Sequence, residues 1–133
     1  MYKHTVTYTD YNGNEQTEDL YFNLSKGEAA ELQLSYKEGL DGYLKKIMGD
    51  ESKGIEPDVP AMTKFFKEML LKSYGKKSED GRRFIKNDAL TEEFTQTEAY
   101  SEMFYSLLTD EDVMDAFISG TLPKVEESTV APA

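Results

Sequence analysis

From the second residue the chain alternates. Tyr2, His4, Val6 and Tyr8 interleave with Lys3, Thr5, Thr7 and Thr9, a period of two rich in β-forming residues. Asp10-Tyr11-Asn12-Gly13-Asn14 follows with turn chemistry, since Asn-Gly tolerates the positive φ of a tight hairpin. A return strand over 17–22 places Glu18, Leu20 and Phe22 on one face. A hairpin alone is marginal in water, so its apolar face must pack on helices or pair with another copy, and its open edge is an assembly surface.

After Phe22 the period becomes helical. Asn23 or Ser25 is placed to cap a first helix carrying Glu28, Ala29 and Leu32. Leu40, Tyr43, Leu44, Ile47 and Met48 then form one apolar stripe at offsets of three and four. Residues 49–59 are polar and predict a mobile connection. A third helix, capped by Asp58, carries Met62, Phe65, Phe66, Met69 and Leu70, and Tyr74-Gly75 is expected to end it through a left-handed glycine. Residues 76–86 read as a charged loop that turns or becomes a strand at Arg83-Phe84-Ile85. Asp88 or Thr91 would cap a short helix with Leu90 and Phe94; Thr97 would cap the next, with Tyr100, Met103, Phe104, Leu107 and Leu108 as its stripe. Thr109-Asp110-Glu111-Asp112 resembles a capping box before a last helix that uses Val113, Met114, Phe117 and Ile118 and ends at Gly120. The pattern predicts an α+β, predominantly helical fold. An N-terminal β-hairpin over 1–22 precedes about five or six amphipathic helices over 23–122 in one domain, with a disordered acidic tail over 123–133.

Composition narrows the chemistry. The 133 residues include no cysteine and one histidine, which removes thiolate nucleophiles, disulfides and multi-histidine metal sites. No apolar run is long enough to span a bilayer and the first residues lack a signal-peptide core, so the sequence reads as soluble and intracellular, with no membrane partner. A formal net charge of -11 repels phosphate backbones, so no nucleic-acid partner is expected. The charge is segregated. Residues 1–61 hold six Lys/Arg against twelve Asp/Glu, residues 62–86 hold eight against three, and residues 87–133 hold one against eleven. A basic island thus lies between acidic blocks. It either balances its neighbours within one fold or attracts the acidic blocks of another copy or a charged partner.

No catalytic or cofactor motif emerges. Gly75-Lys76-Lys77-Ser78 lacks the earlier glycine and the preceding strand of a phosphate-binding loop. Asp50-Glu51-Ser52-Lys53-Gly54 lacks the calcium-loop pattern, and acid pairs such as Glu92-Glu93 are unavoidable among 26 carboxylates. No enzyme, metal or cofactor is expected. The candidate residues are instead those of a protein contact. Phe65-Phe66 and Phe104-Tyr105 set neighbouring aromatics about 100° apart on a helix, so one of each pair reaches the core while the other lies near its margin, where it either packs or lines a protein-binding groove. Lys76, Lys77, Arg82 and Arg83 flank the Asp80-Gly81 turn, and the arginines either clamp acidic helices of the same chain or meet another molecule.

The stretch from Phe65 through Gly75-Lys76-Lys77-Ser78, then Asp80-Gly81-Arg82-Arg83-Phe84-Ile85-Lys86, resembles a family of small proteins from tail modules of tailed phages and prophages of Gram-positive bacteria. The segments Phe22-Asn23-Leu24-Ser25-Lys26, Phe94-Thr95-Gln96-Thr97-Glu98-Ala99-Tyr100 and Phe117-Ile118-Ser119-Gly120 share the likeness, which spans residues 6–123. The family is that of tail assembly chaperones of long-tailed, siphovirus-type phages. The resemblance implies a protein of the host bacterial cytoplasm, absent from the mature virion, that coats and solubilises the tape measure protein and helps recruit the major tail protein. It also implies an extended form made by programmed frameshifting, and Pro123-Lys124 is a dipeptide that a slippery heptamer can encode. Segregated charge adds self-association to this expectation. An acidic host-directed inhibitor or nucleic-acid mimic, and a structural tail connector or terminator, are the alternatives.

Overall fold

The alternating segments pair as their pattern requires. In the computed structural model, which describes residues 1–122, strands β1 (Tyr2–Thr9) and β2 (Glu15–Phe22) run antiparallel, with Tyr2 opposite Phe22 and Thr9 opposite Glu15. The Asp10 carboxylate accepts the backbone N–H groups of Asn12 and Asn14 at 2.9 Å each, and Gly13 takes φ +84°. Val6, Leu20 and Phe22 are buried on one face, while Thr5, Thr7, Thr17 and Asp19 are exposed on the other. The expected tail from Pro123 lies outside the described residues.

Helices α1 (Lys26–Ser35), α2 (Gly39–Met48) and α3 (Val59–Ser73) follow. Ser25, rather than Asn23, caps α1 in a full capping box with Glu28. The 49–59 connection, expected to be mobile, is closed by hydrogen bonds. Asp50 and Ile55 exchange backbone bonds of 2.8 and 2.9 Å around a short 3-10 turn, and the Asp58 N–H donates to the Ile47 carbonyl at 2.8 Å. Asp58 also caps α3 through the Ala61 N–H.

Residues 23–122, expected to be helical apart from a turn or strand at Arg83-Phe84-Ile85, hold two strands, one at that place and one not foreseen at Tyr74–Lys77. A second hairpin, β3 (Tyr74–Lys77) and β4 (Phe84–Ile85), extends the first into a four-stranded antiparallel sheet of order β1-β2-β3-β4. The cause lies at the end of α3. The Asn23 N–H donates to the Ser73 carbonyl at 2.8 Å, which draws the chain beside β2 so that Tyr74 pairs with Phe22. Tyr74 leaves the helix in extended geometry, and Gly75 has no positive φ, so glycine is not a left-handed stop here. Its role is clearance: a Cβ on Gly75 would lie 2.6 Å from Phe84 Cε2 and 2.7 Å from the Ile85 carbonyl oxygen.

Helices α4 (Asp88–Thr95), α5 (Glu98–Thr109) and α6 (Glu111–Thr121) complete the chain. Asn87, not Asp88 or Thr91, caps α4, because its extended backbone lets Oδ1 accept the Leu90 N–H at 2.8 Å. Thr97 and Asp110 cap α5 and α6, and α6 continues one residue past Gly120. The inner sheet face packs on these helices. Phe22, fully buried, is the hub, with ring centroids of Tyr74, Phe94 and Phe117 at 5.9, 6.2 and 5.7 Å. Each buried aromatic or aliphatic side chain of this kind contributes roughly 1.5–3 kcal/mol.

Candidate interaction surface

Between β3 and β4 the Ser78–Arg83 turn is tied from both sides. The Ser78 N–H donates to the Arg83 carbonyl at 2.9 Å, and the Arg83 N–H donates to Ser78 Oγ at 3.0 Å. Asp80 Oδ1 accepts from the Arg82 N–H at 3.0 Å and from Ser78 Oγ at 2.7 Å, bonds that hold its carboxyl below the usual range. Gly81 supplies φ +73°. The backbones of Arg82 and Arg83 are therefore fixed while both side chains are exposed. Lys76 and Lys77 are exposed as well, with Lys77 Nζ lying 4.6 Å from the centroid of the Tyr21 ring.

The intramolecular clamp, one of the two readings of the arginines, is made instead by Lys86. Its ammonium donates to both Glu28 oxygens at 2.7 Å and to the Asn23 carbonyl at 3.1 Å, and this is the one ion pair among the described residues. Burial pushes the Glu28 carboxyl up, but bonds from Lys86 and the Ser25 backbone outweigh it and leave it below its ordinary value. Lys76, Lys77, Arg82 and Arg83 make no ion pair among the described residues.

The aromatic candidates separate. Phe65 and Phe66 are both buried, at 3% and 0% exposure, because α3 lies between α2 and α5 and is covered on both flanks. Phe104 is half-buried and stacks on Tyr100 at 5.9 Å. Tyr105 is 67% exposed. Leu108, expected in the core stripe, is 39% exposed, since the buried line of α5 runs through Ala99, Met103 and Leu107. Tyr105 and Leu108, three residues apart, thus share an outward face. Tyr11, at the tip of the first hairpin, donates its hydroxyl to Glu98 Oε1 at 2.7 Å at the head of the same helix. Residues 87–122, which contain this pair, carry nine carboxylates and no Lys or Arg. Leu108 and Tyr11 were missed as surface residues. Stripe membership cannot fix the rotation of a helix with two apolar lines, and a turn tyrosine carries no periodic signal.

Two depressions adjoin the basic hairpin. One of about 260 Å³ is lined by Asp19, Tyr21, Tyr74, Gly75, Lys76 and Lys77. A smaller cleft of about 80 Å³ sets Glu18 and Glu93 beside Tyr74, whose hydroxyl is raised by burial and then by those two carboxylates. Among the described residues no cluster of three or more His, Asp or Glu is gathered that could hold a metal ion, and no helix is long and apolar enough to cross a membrane.

A family model described as phage tail assembly chaperone matches residues 1–130. The chain belongs to the phage tail assembly chaperone family. No curated protein and no solved structure matches it. For a tail assembly chaperone the chemistry required is adhesion to tail proteins.

Proposed function

We propose that this tail assembly chaperone binds the tape measure protein and keeps it soluble in the host bacterial cytoplasm, and helps bring major tail protein to it, without catalysing a reaction. The observation that carries the reading is the exposed Tyr105–Leu108 pair on α5, with Glu102 three residues before Tyr105, in a stretch over 87–122 that has nine carboxylates and no Lys or Arg. Such a face suits a long amphipathic helix whose apolar stripe is bordered by basic residues, the helix lying along α5 and its cations meeting the surrounding carboxylates. The buried Phe65 and Phe66 serve this reading as scaffold and not as contacts.

Self-association follows from the same charges. Lys76, Lys77, Arg82 and Arg83 of one copy, which make no ion pair among the described residues, are complementary to the carboxylates of α4–α6 of the next. A contact of this head-to-tail kind repeats openly and lines copies along a client. An extended, frameshifted form would recruit major tail protein, and the chaperone would leave before the virion matures.

Co-expression with the tape measure protein tests the proposal. The client should move to the soluble fraction with the native chain and remain insoluble with a Tyr105→Ser/Leu108→Ser variant of unchanged circular dichroism. A client equally insoluble with and without the native chain removes the chaperone reading. Arg82→Glu/Arg83→Glu should abolish the salt-sensitive assembly of copies and leave the monomer folded. An assembly unaffected by that reversal removes the charge contact.

A further inference from the structure

The outer edge of β1 is long and continuous; α5 and α6 pack against the strand, while its Lys3, Thr5, Thr7 and Thr9 side chains are exposed. Its eight residues pair with β2 in unbroken register and contain no Pro, no Gly and a single Lys. Those are the devices within a strand that ordinarily blunt an edge, and of them β1 has only Lys3. In the turn the Asp10 N–H donates to the Asn14 carbonyl at 2.8 Å. Counting alternate pairs from that bond assigns the backbone groups of Tyr2, His4, Val6 and Tyr8 to β2. The side-chain bonds Thr5–Asp19 at 2.7 Å and Thr7–Thr17 at 3.1 Å fall at the intervening, closer pairs, as this count requires. The N–H and C=O groups of Lys3, Thr5, Thr7 and Thr9 therefore point away from the sheet, and no partner meets them among the described residues.

The strand is also nearly palindromic about Val6. Thr5 mirrors Thr7, the ring of His4 mirrors the ring of Tyr8, and Lys3 mirrors Thr9. We propose that β1 pairs with β1 of a second copy, antiparallel about a two-fold axis through Val6, joining two four-stranded sheets into one of eight strands. In that register Thr5 lies opposite Thr7 of the second copy, a favourable cross-strand pair, and Lys3 lies opposite Thr9, so no like charges face each other. The contact is isologous and closes on itself, unlike the head-to-tail charge contact. It is independent of the client, and its backbone bonds hold at salt concentrations that disperse a charge-driven assembly.

Sedimentation velocity of the full chain at several concentrations in high salt should show a dimer. Thr7→Pro removes one outward N–H, and it should weaken the dimer by about tenfold or more with native circular dichroism. Should that variant not fold, Thr5→Lys/Thr7→Lys sets Lys against Lys and must also yield monomer, whereas Thr5→Lys/Thr7→Glu sets Lys against Glu and must restore the dimer. The cysteine-free chain allows a direct check of register. A mixture of Thr5→Cys and Thr7→Cys proteins should oxidise to mixed dimers in preference to either protein alone. A chain monomeric at every concentration, a dimer indifferent to the charge series, or cross-links without this register preference would each overturn the proposal.

Discussion

Gly75→Ala should destabilise the protein although its backbone conformation is open to alanine. In a position without positive φ, replacing glycine by alanine ordinarily stabilises a protein by about 0.4–1 kcal/mol, because the unfolded chain loses freedom. Gly27, in α1, is such a position: its added Cβ would meet nothing nearer than Ser25 Oγ at 4.0 Å. At Gly75 the same methyl would sit 2.6 Å from Phe84 Cε2, 2.7 Å from the Ile85 carbonyl oxygen and 2.8 Å from Lys86 Cγ. The Phe84 ring and the Lys86 stem can swing aside, but the carbonyl belongs to the strand and takes β4 with it. Overpacking of this kind costs roughly 1–3 kcal/mol, more than the entropic gain. With a urea m-value of about 1–3 kcal/mol/M, the unfolding midpoint should fall by on the order of 1 M for Gly75→Ala and rise slightly for Gly27→Ala. Amide exchange should quicken most over residues 76–86. A midpoint equal to or above that of the native chain would refute the clearance argument.

Three further outcomes are expected. Phe22→Ala empties the aromatic hub and should cost about 3–5 kcal/mol in chemical denaturation; a loss below about 1 kcal/mol would contradict its central place. Lys86→Met breaks the half-buried pair with Glu28 and should cost under about 1 kcal/mol at neutral pH, given its partial exposure. Because the folded Glu28 carboxyl lies below its unfolded value, its contribution is present above the unfolded carboxylate range and lost as pH falls through the folded one; the variant should flatten that acid limb of the stability profile. His4, the sole histidine, is pushed below 6.5 by burial and raised in part by Asp110, so its ring-proton NMR titration should have a depressed midpoint. Protonation then opposes folding, and stability should fall as pH drops from the unfolded histidine value through the folded one. Asp110→Asn keeps a capping side chain and should depress the midpoint further.

The first hairpin, the six helices and most caps were legible because each is encoded locally, in a period or a turn dipeptide. Of the β3–β4 hairpin only β4 was, as one of two readings of Arg83-Phe84-Ile85. Tyr74-Gly75-Lys76-Lys77 has little strand propensity, and it becomes a strand because the Asn23–Ser73 bond lays it beside β2. The choice of clamp was equally hidden: Lys86, Arg82 and Arg83 share one basic stretch, and the path of β4 alone brings Lys86 to Glu28. The basic hairpin itself was visible as a candidate contact. Whether Phe65 and Phe66 or Tyr105 and Leu108 reach the surface depended on how α3 and α5 are flanked, which no single stretch of sequence contains.

The absence of lysine and arginine from residues 87–122 has a practical side. After Lys86 the next tryptic cleavage site is Lys124, so α4, α5 and α6 leave a digest together as one peptide. Amine-to-amine reagents will not label these three helices, and a carbodiimide, which welds a carboxylate to an amine, will. With one population carrying heavy nitrogen, a carbodiimide product joining a heavy peptide that contains Lys76 or Lys77 to this light one is an intermolecular bond by its mass alone, and identifies which carboxylate of α4–α6 a neighbouring hairpin meets.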